Sequence, residues 1–265
     1  STNIVSKNIC RNLEDLKNDD DIKAVVLRIN SPGGDAYASD QIWHQVTELR
    51  KKKPVVVSMG DYAASGGYYM SCGANWIVAQ PNTLTGSIGI FGVFPDLSGL
   101  VTEKLGVKFD EVKTNANSAF GNIAARPFNA AEMAMLQGYV NRGYATFLNR
   151  VSQGRKMSVE NIDKIAQGRV WLGTDALKIK LIDQLGGIKE AVEKAAQLAK
   201  VKNYAVEEYP TTEKWQDQIF NNIVPRGTLD DQLRLALGAA YEPFMLIRNI
   251  NQREAIQARL PMDLN

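Results

Sequence analysis

Apolar positions along the chain fall into two kinds of run, some recurring at helical spacing and others short and nearly unbroken. Residues 4–16 have helical spacing and end in Asn18-Asp19-Asp20-Asp21, a solvated acidic turn. The next stretch, Ile22-Lys23-Ala24-Val25-Val26-Leu27-Arg28-Ile29-Asn30, is apolar over strand length, as a central parallel strand covered on both faces requires. It runs into Ser31-Pro32-Gly33-Gly34-Asp35, after which Ile42, Trp43, Val46 and Leu49 mark the apolar face of a helix. Arg50-Lys51-Lys52-Lys53 reads as that helix's solvated last turn. Val55-Val56-Val57 predicts a second buried strand, followed by small residues and then by an aromatic helical segment from Ser65.

Further along, residues 107–112 predict a strand. Residues 129–155 predict a long helix with Met133, Leu136, Val140, Tyr144, Phe147, Leu148 and Val151 on one face, a stripe suited to core or subunit packing. Ser158 starts another helix, 168–172 returns as a short strand, Thr174 opens the helix leading to Leu181, and 188–201 is an amphipathic helix. Residues 204–209 predict an edge strand closed by Pro210. Beyond it the composition changes. Residues 215–223 and 229–246 read as amphipathic helices, and 252–265 as partly disordered. The expected organisation is a domain over 1–209 and a helical extension over 210–265, a tail suited to covering a neighbouring repeat or subunit.

Composition narrows the chemistry. With 265 residues, 45% of them hydrophobic and 23% charged, the chain can bury one large α/β core. A net charge of +2 with dispersed basic residues gives no nucleic-acid footprint. The two cysteines, Cys10 and Cys72, support neither a disulfide framework nor a zinc site, and Cys72 fits the core behind the Ser65 turn. No apolar run approaches the roughly 20 residues that span a bilayer, so the chain reads as soluble. No cofactor or metal is implied.

One stretch carries candidate chemistry. Ala63-Ala64-Ser65-Gly66-Gly67 sits at a strand-to-helix junction, where small neighbours flank a serine because the backbone is crowded and strained. Such residues also collect wherever a helix packs tightly on a strand, so the stretch alone leaves both readings open. Ser31-Pro32-Gly33-Gly34 ends the preceding strand, and the two glycine-rich turns should be neighbours at the carboxyl end of a parallel sheet, where ligands bind. The one histidine, His44, lies between the apolar positions of its helix and faces solvent, which argues against a Ser-His-Asp arrangement.

Leu27 to Gly34, Ala63 to Tyr68, Leu84-Thr85-Gly86-Ser87-Ile88-Gly89, Ile162 to Gly173 and Leu181 to Gly187 together resemble the signal peptide peptidase A family, also called protease IV. All five motifs stand in the family's order. The resemblance spans roughly residues 22–202 and implies an α/β fold of the Clp protease and crotonase kind, built from stacked β-β-α units. It also implies a serine peptidase with a lysine base. Ser65 matches the nucleophile. The backbone N–H groups of Gly66 and Gly34 match the oxyanion donors, Gly33 shapes their turn, and Ser87 matches a hydroxyl that orients the lysine amine. In half-length members that lysine follows a segment resembling Val112-Lys113-Thr114, and its position falls here on Ser118. Lys104, Lys108, Lys113 and Lys156 read as surface residues.

Double-length members divide the labour between tandem copies, the first donating lysine and the second serine, and this sequence resembles the second. The start at Ser1-Thr2-Asn3-Ile4, without the strand the family places before its first helix, fits a piece of something longer. The resemblance further implies apolar peptide substrates such as cleaved signal peptides and an upstream lysine-bearing domain as partner. It also implies a homo-oligomer, a tetramer being one form, and a parent protein on the periplasmic side of the bacterial inner membrane. Two other readings compete: a crotonase-like acyl-CoA enzyme, for which Asp35 and Asp61 are the only acids near the turns, and a non-catalytic assembly domain.

Overall fold

The computed structural model describes residues 4–115, 118–122 and 125–210 and the backbone of 256–259. The expected helices over 215–223 and 229–246 lie outside the described residues. Contacts divide the chain into two compact units, Ser1–Lys202 with Ala255–Asn265, and Asn203–Glu254.

The first unit is organised on β3 (Val55–Ala64), the longest strand, which has a parallel neighbour along each edge. β1 (Val25–Ser31) holds one edge from Val25 opposite Val55 to Ile29 opposite Met59. The other edge is shared: β4 (Trp76–Ala79) pairs with residues 56–58, and β5 (Leu84–Gly86) replaces it at residues 62–64. β8 (Gln184–Leu185) adds to β4 in parallel, and β7 (Val170–Leu172) pairs antiparallel with β5. The unbroken valine run of β3 follows from this position, because both faces are covered. Val55, Val57 and Met59 point into the main core with Ile42, Trp43, Val46, Leu49 and Phe147, while Val56 packs on the opposite face with Val78, Ala191 and Ala195. Complete burial of each valine contributes about 1.5–3 kcal/mol.

The helices that cover the sheet start and stop where their sequences say. α1 (Ser6–Asn18) buries Leu13 and Leu16 and packs on α2 (Ala36–Arg50), whose N-cap is Asp35, with its side chain accepting from the Ala38 N–H at 2.6 Å. α3 (Gly66–Ser71) follows β3 directly and is buried throughout. α4 (Ala130–Arg155) opens with a capping box between Asn129 and Glu132. Its expected apolar stripe is core only in part: Leu136, Phe147, Leu148 and Val151 are buried, whereas Met133 is exposed. α5 (Val159–Ile165) is capped by Ser158, α6 (Gly173–Lys178) leads to Leu181, and α7 (Ile188–Ala199) covers the face carrying Val56.

Four expectations change. Residues 107–112 form no strand, since none of their apolar side chains finds the core, and Val112 is 94% exposed. Residues 204–209 are irregular backbone rather than an edge strand. Lys53 is not solvated: its stem is half-buried and its amine donates to the carbonyls of Leu16 at 2.7 Å and of Asp19, tying α2 to the end of α1. Within the 252–265 stretch expected to be partly disordered, Ile256–Arg259 is a strand, β9. It lies between β2 (Gly33–Asp35) and β6 (Phe91–Gly92), antiparallel to both, as the centre of a second sheet.

Candidate active site

The end of β3 is built from main-chain contacts that leave little freedom. The pairing of β1 with β3 shifts register between Ile29 and Ser31, so that Ser31 comes opposite Ala63. Asn30, at the shift, turns its side-chain oxygen to accept from the Tyr62 N–H at 3.2 Å. On the other edge, buried Thr83 and Thr85 donate to the carbonyls of Gly60 at 2.7 Å and Ala63 at 2.8 Å. These polar side chains were not singled out from the sequence. A threonine or asparagine interrupting an apolar run at a strand end is the signal that marks them.

Ser65 follows at the junction with φ 53° and ψ −114°, a region a non-glycine residue enters only when its surroundings force it. Its N–H donates to the Gly86 carbonyl at 2.8 Å, and its carbonyl accepts from the Tyr69 N–H at 2.8 Å as the first bond of α3. The side chain is fully buried, and its Oγ has no hydrogen-bond partner among the described residues. Buried hydroxyls are ordinarily bonded, so an orphan at a strained position calls for an explanation outside the fold's own needs.

The expected neighbours are in place. α3 begins hard against the Ser31 turn: a Cβ added to Gly67 would stand 2.6 Å from the Ser31 carbonyl oxygen. The turn itself is folded by Gly33 at φ 111° and by the Ser31 Oγ, which accepts from the Gly33 N–H at 3.2 Å. Gly34 needs neither a left-handed backbone nor space, since a Cβ there would meet nothing within 4 Å. Its bareness leaves the main chain open to approach by another strand. Ser87, on the far side of Ser65, continues from Gly86, is 2% exposed, and has φ 48°. Its N–H donates to the Arg169 carbonyl at 2.7 Å. Ser65, Ser87, Gly33, Gly34 and Gly66 therefore gather at the carboxyl ends of β1, β3 and β5.

Bases and acids are another matter. His44 is exposed on α2. Among the described residues no lysine amine is hydrogen-bonded to Ser65. Lys104, Lys108 and Lys156 are exposed, and Lys113 pairs with Glu111 at 2.7 Å. Ser118 stands exposed, its Oγ donating to the Asn115 carbonyl at 3.0 Å. Asp35 is engaged in capping α2 and Asp61 is exposed, so neither acid supports acyl-CoA chemistry at the serine. Behind the turn, burial pushes the Cys72 thiol up to about 12 and raises the Tyr68 hydroxyl, which donates to the Leu181 carbonyl at 2.8 Å. Tyr69 is likewise core and donates to Asp40 at 2.8 Å. These groups brace the junction and stay protonated.

Comparison with known proteins gives this geometry a family. Residues 1–84 match the Clp protease model and residues 47–202 the model of peptidase family S49. Protease 4 of Haemophilus influenzae is 46% identical over 193 residues, which are 72% of this chain and 31% of that protein. Protease 4 of Salmonella typhi is 43% identical over 213 residues, 80% of this chain and 34% of that protein. The chloroplastic serine protease SPPA of Arabidopsis thaliana is 37% identical over 198 residues, 75% of this chain and 29% of that protein. The chain thus spans about a third of the length of these relatives. A ClpP1 mutant structure from Listeria monocytogenes aligns with TM-score 0.48 and 15% identity over 71% of this chain and 86% of that one. The helix-covered parallel sheet together with the Clp protease match bears out the α/β fold of Clp type. With its family model covering more than half of the residues, the chain belongs to peptidase family S49.

Proposed function

We propose that this chain is the serine-bearing part of a peptidase, with Ser65 as nucleophile and a lysine base that arrives from an upstream domain of a longer protein. The observation that carries the reading is the fully buried Oγ of Ser65, without a hydrogen-bond partner among the described residues, on a strained backbone beside the Gly33-Gly34 turn. Strain and an unsatisfied hydroxyl together are costly to folding, and they are tolerable where an incoming group completes the site. The likeness to protease 4 and to a chloroplastic serine protease supports the same chemistry.

In the proposed reaction, a neutral lysine amine takes the Ser65 proton as Oγ attacks the scissile carbonyl carbon. The charge on the tetrahedral oxygen is received by the N–H groups of Gly66 and Gly34, and the departing amine takes the proton back from the lysine. Water then hydrolyses the acyl-serine by the same route. Ser87 orients the amine. Substrates are extended, apolar peptides, cleaved signal peptides among them, bound through their main chain. The parent protein works at the bacterial cell envelope as a homo-oligomer.

Fluorophosphonate labelling tests this reading, with the chain alone and with a separately produced upstream half. Labelling of Ser65 should require the upstream half and vanish in Ser65→Ala. Labelling of the chain alone would place the base within it, and no labelling of the folded complex would overturn the catalytic reading.

A further inference from the structure

The two N–H donors proposed for the oxyanion belong to different elements. Gly34 lies in β2, just ahead of α2, and Gly66 opens α3. One oxygen can be received by both only if the starts of these two helices keep a fixed separation. α3 is six residues long, too short to hold its own direction, so its neighbours must supply it. The close approach of Gly67 to the Ser31 carbonyl sets how near the helix comes, but a single point of contact does not fix its tilt.

One turn further on, the helix is tied. Tyr69, whose N–H donates to the Ser65 carbonyl at 2.8 Å, donates its hydroxyl proton to Asp40 Oδ1, also at 2.8 Å. Asp40 lies one turn into α2. The backbone ahead of it is stiff: the Asp35 side chain accepts from the Ala38 N–H at 2.6 Å, and the Asp35 carbonyl accepts from Ser39 Oγ at 2.8 Å. The same Asp40 oxygen accepts from Arg150 Nε of α4 at 3.1 Å. The Arg150 guanidinium in turn lies over Trp43 of α2, 4.0 Å from the ring centroid. One carboxylate oxygen therefore joins three helices through charge-assisted bonds. Tyr68 ties α3 in another direction, to the Leu181 carbonyl. Only Tyr69 reaches the element that follows Gly34. Burial, and after it the Asp40 carboxylate, raise the Tyr69 hydroxyl, so it remains a donor.

We infer that Asp40 and Tyr69 are positioning residues, a strut between α2 and α3 that sets the spacing of the Gly34 and Gly66 N–H groups. The inference rests on the peptidase reading for its functional meaning, and on the hydrogen bonds alone for the strut. Neither side chain touches the serine hydroxyl, so their effect falls on the rate of reaction at Ser65 rather than on encounter with a probe.

Time courses of Ser65 labelling by a fluorophosphonate, with the full chain and the upstream half together, give a maximal rate and a half-saturating concentration. Tyr69→Phe keeps the ring beside Phe147, whose centroid is 4.4 Å away, and removes only the bond. Tyr69→Phe and Asp40→Ala should each lower the maximal rate about tenfold or more and leave the half-saturating concentration within about twofold. Asp40→Asn still offers an oxygen to Tyr69 and should recover the rate to within about threefold of the unaltered complex. Parent-like rates in Tyr69→Phe or Asp40→Ala, or an asparagine variant as slow as the alanine one, overturn the strut.

A second measurement needs no catalysis. In the ¹⁵N-labelled chain alone, Tyr69→Phe and Asp40→Ala should both displace the Gly34 and Gly66 N–H resonances, and Asp40→Asn should return them toward their original positions. Unmoved resonances overturn the strut. The two ideas separate cleanly. An unaltered complex that never labels, with resonances displaced and rescued, removes the peptidase and leaves the strut. Normal labelling in every variant removes the strut and leaves the peptidase.

Discussion

Around Ser65 main chain is packed against main chain, with Gly67 touching the Ser31 carbonyl and Ser65 itself bonded at both its N–H and its carbonyl. The described residues between 93 and 128 are held differently. None of their apolar side chains is buried, and Val93, Leu100, Leu105, Val107, Phe109, Val112 and Phe120 are all exposed. A short π-helical turn at Gly99–Lys104 is their one helical element, and a cavity of about 610 Å³ opens between Val107, Phe109, Glu111 and Arg126. Charge is the main fastening among its side chains. Arg126 makes two bonds to the Glu132 carboxylate, at 2.8 and 2.9 Å, and approaches Glu111 at 3.7 Å, and Glu111 in turn pairs with Lys113. The serine junction draws its rigidity from core packing and tolerates strain. The excursion buries none of its apolar side chains, and besides its ion pairs only a small, partly exposed aromatic cluster, Phe94 and Phe120 against Phe128 with ring centroids 6.0 and 5.6 Å apart, gathers them.

The contrast can be broken most forcefully at Gly67. Gly67→Ala puts a methyl 2.6 Å from a backbone oxygen that no rotamer can move. It should cost about 2–3 kcal/mol in denaturant unfolding and disable Ser65 by separating α3 from the Ser31 turn. A variant as stable as the parent would mean that the close approach is absent. A smaller effect comes from Ser65 itself. Ser65→Ala and Ser65→Gly both remove the hydroxyl, but only glycine accepts φ 53° without strain, so the glycine variant should be the more stable by about 1 kcal/mol. Equal midpoints for the two variants would argue against stored strain at the junction.

The smallest global effect is expected at the excursion. The Arg126 guanidinium, and after it the Asn129 N–H, hold Glu132 down from the ordinary 4.5 to about 2. A depressed carboxylate stabilises the fold above its unfolded value and loses that contribution as the pH falls through 4.5 toward about 2. Urea midpoints of the unaltered chain should therefore drop over that window more steeply than those of Glu132→Gln, with protease nicking near residues 107–128 rising in parallel. Parallel pH profiles for the two proteins would show that the ion pair does not fasten the excursion.

Much of the junction around Ser65 is legible in the sequence. The valine run of β3 has no other home than a doubly covered strand, and the small residues around Ser65 announce a junction too crowded for side chains. Asn129 and Ser158 cap the helices their positions predict, because a cap is a bond between residues three apart. Residues 107–112 misled because alternation describes a half-buried strand only when a core exists to bury one face, and none is there.

What the sequence determined by itself is whatever depends on near neighbours: strand runs, helix faces, caps, and the glycines and serine that a tight turn requires. Tertiary structure alone decided the rest. The register shift at Asn30 brings two turns together, Thr83 and Thr85 hold the end of β3 from the adjoining strand, and Lys53 reaches back to α1. Most of all it decided that Ile256–Arg259 would lie against Gly33–Asp35. Main-chain pairing between segments more than 200 residues apart leaves no mark in side-chain pattern, because every residue carries the same N–H and C=O groups.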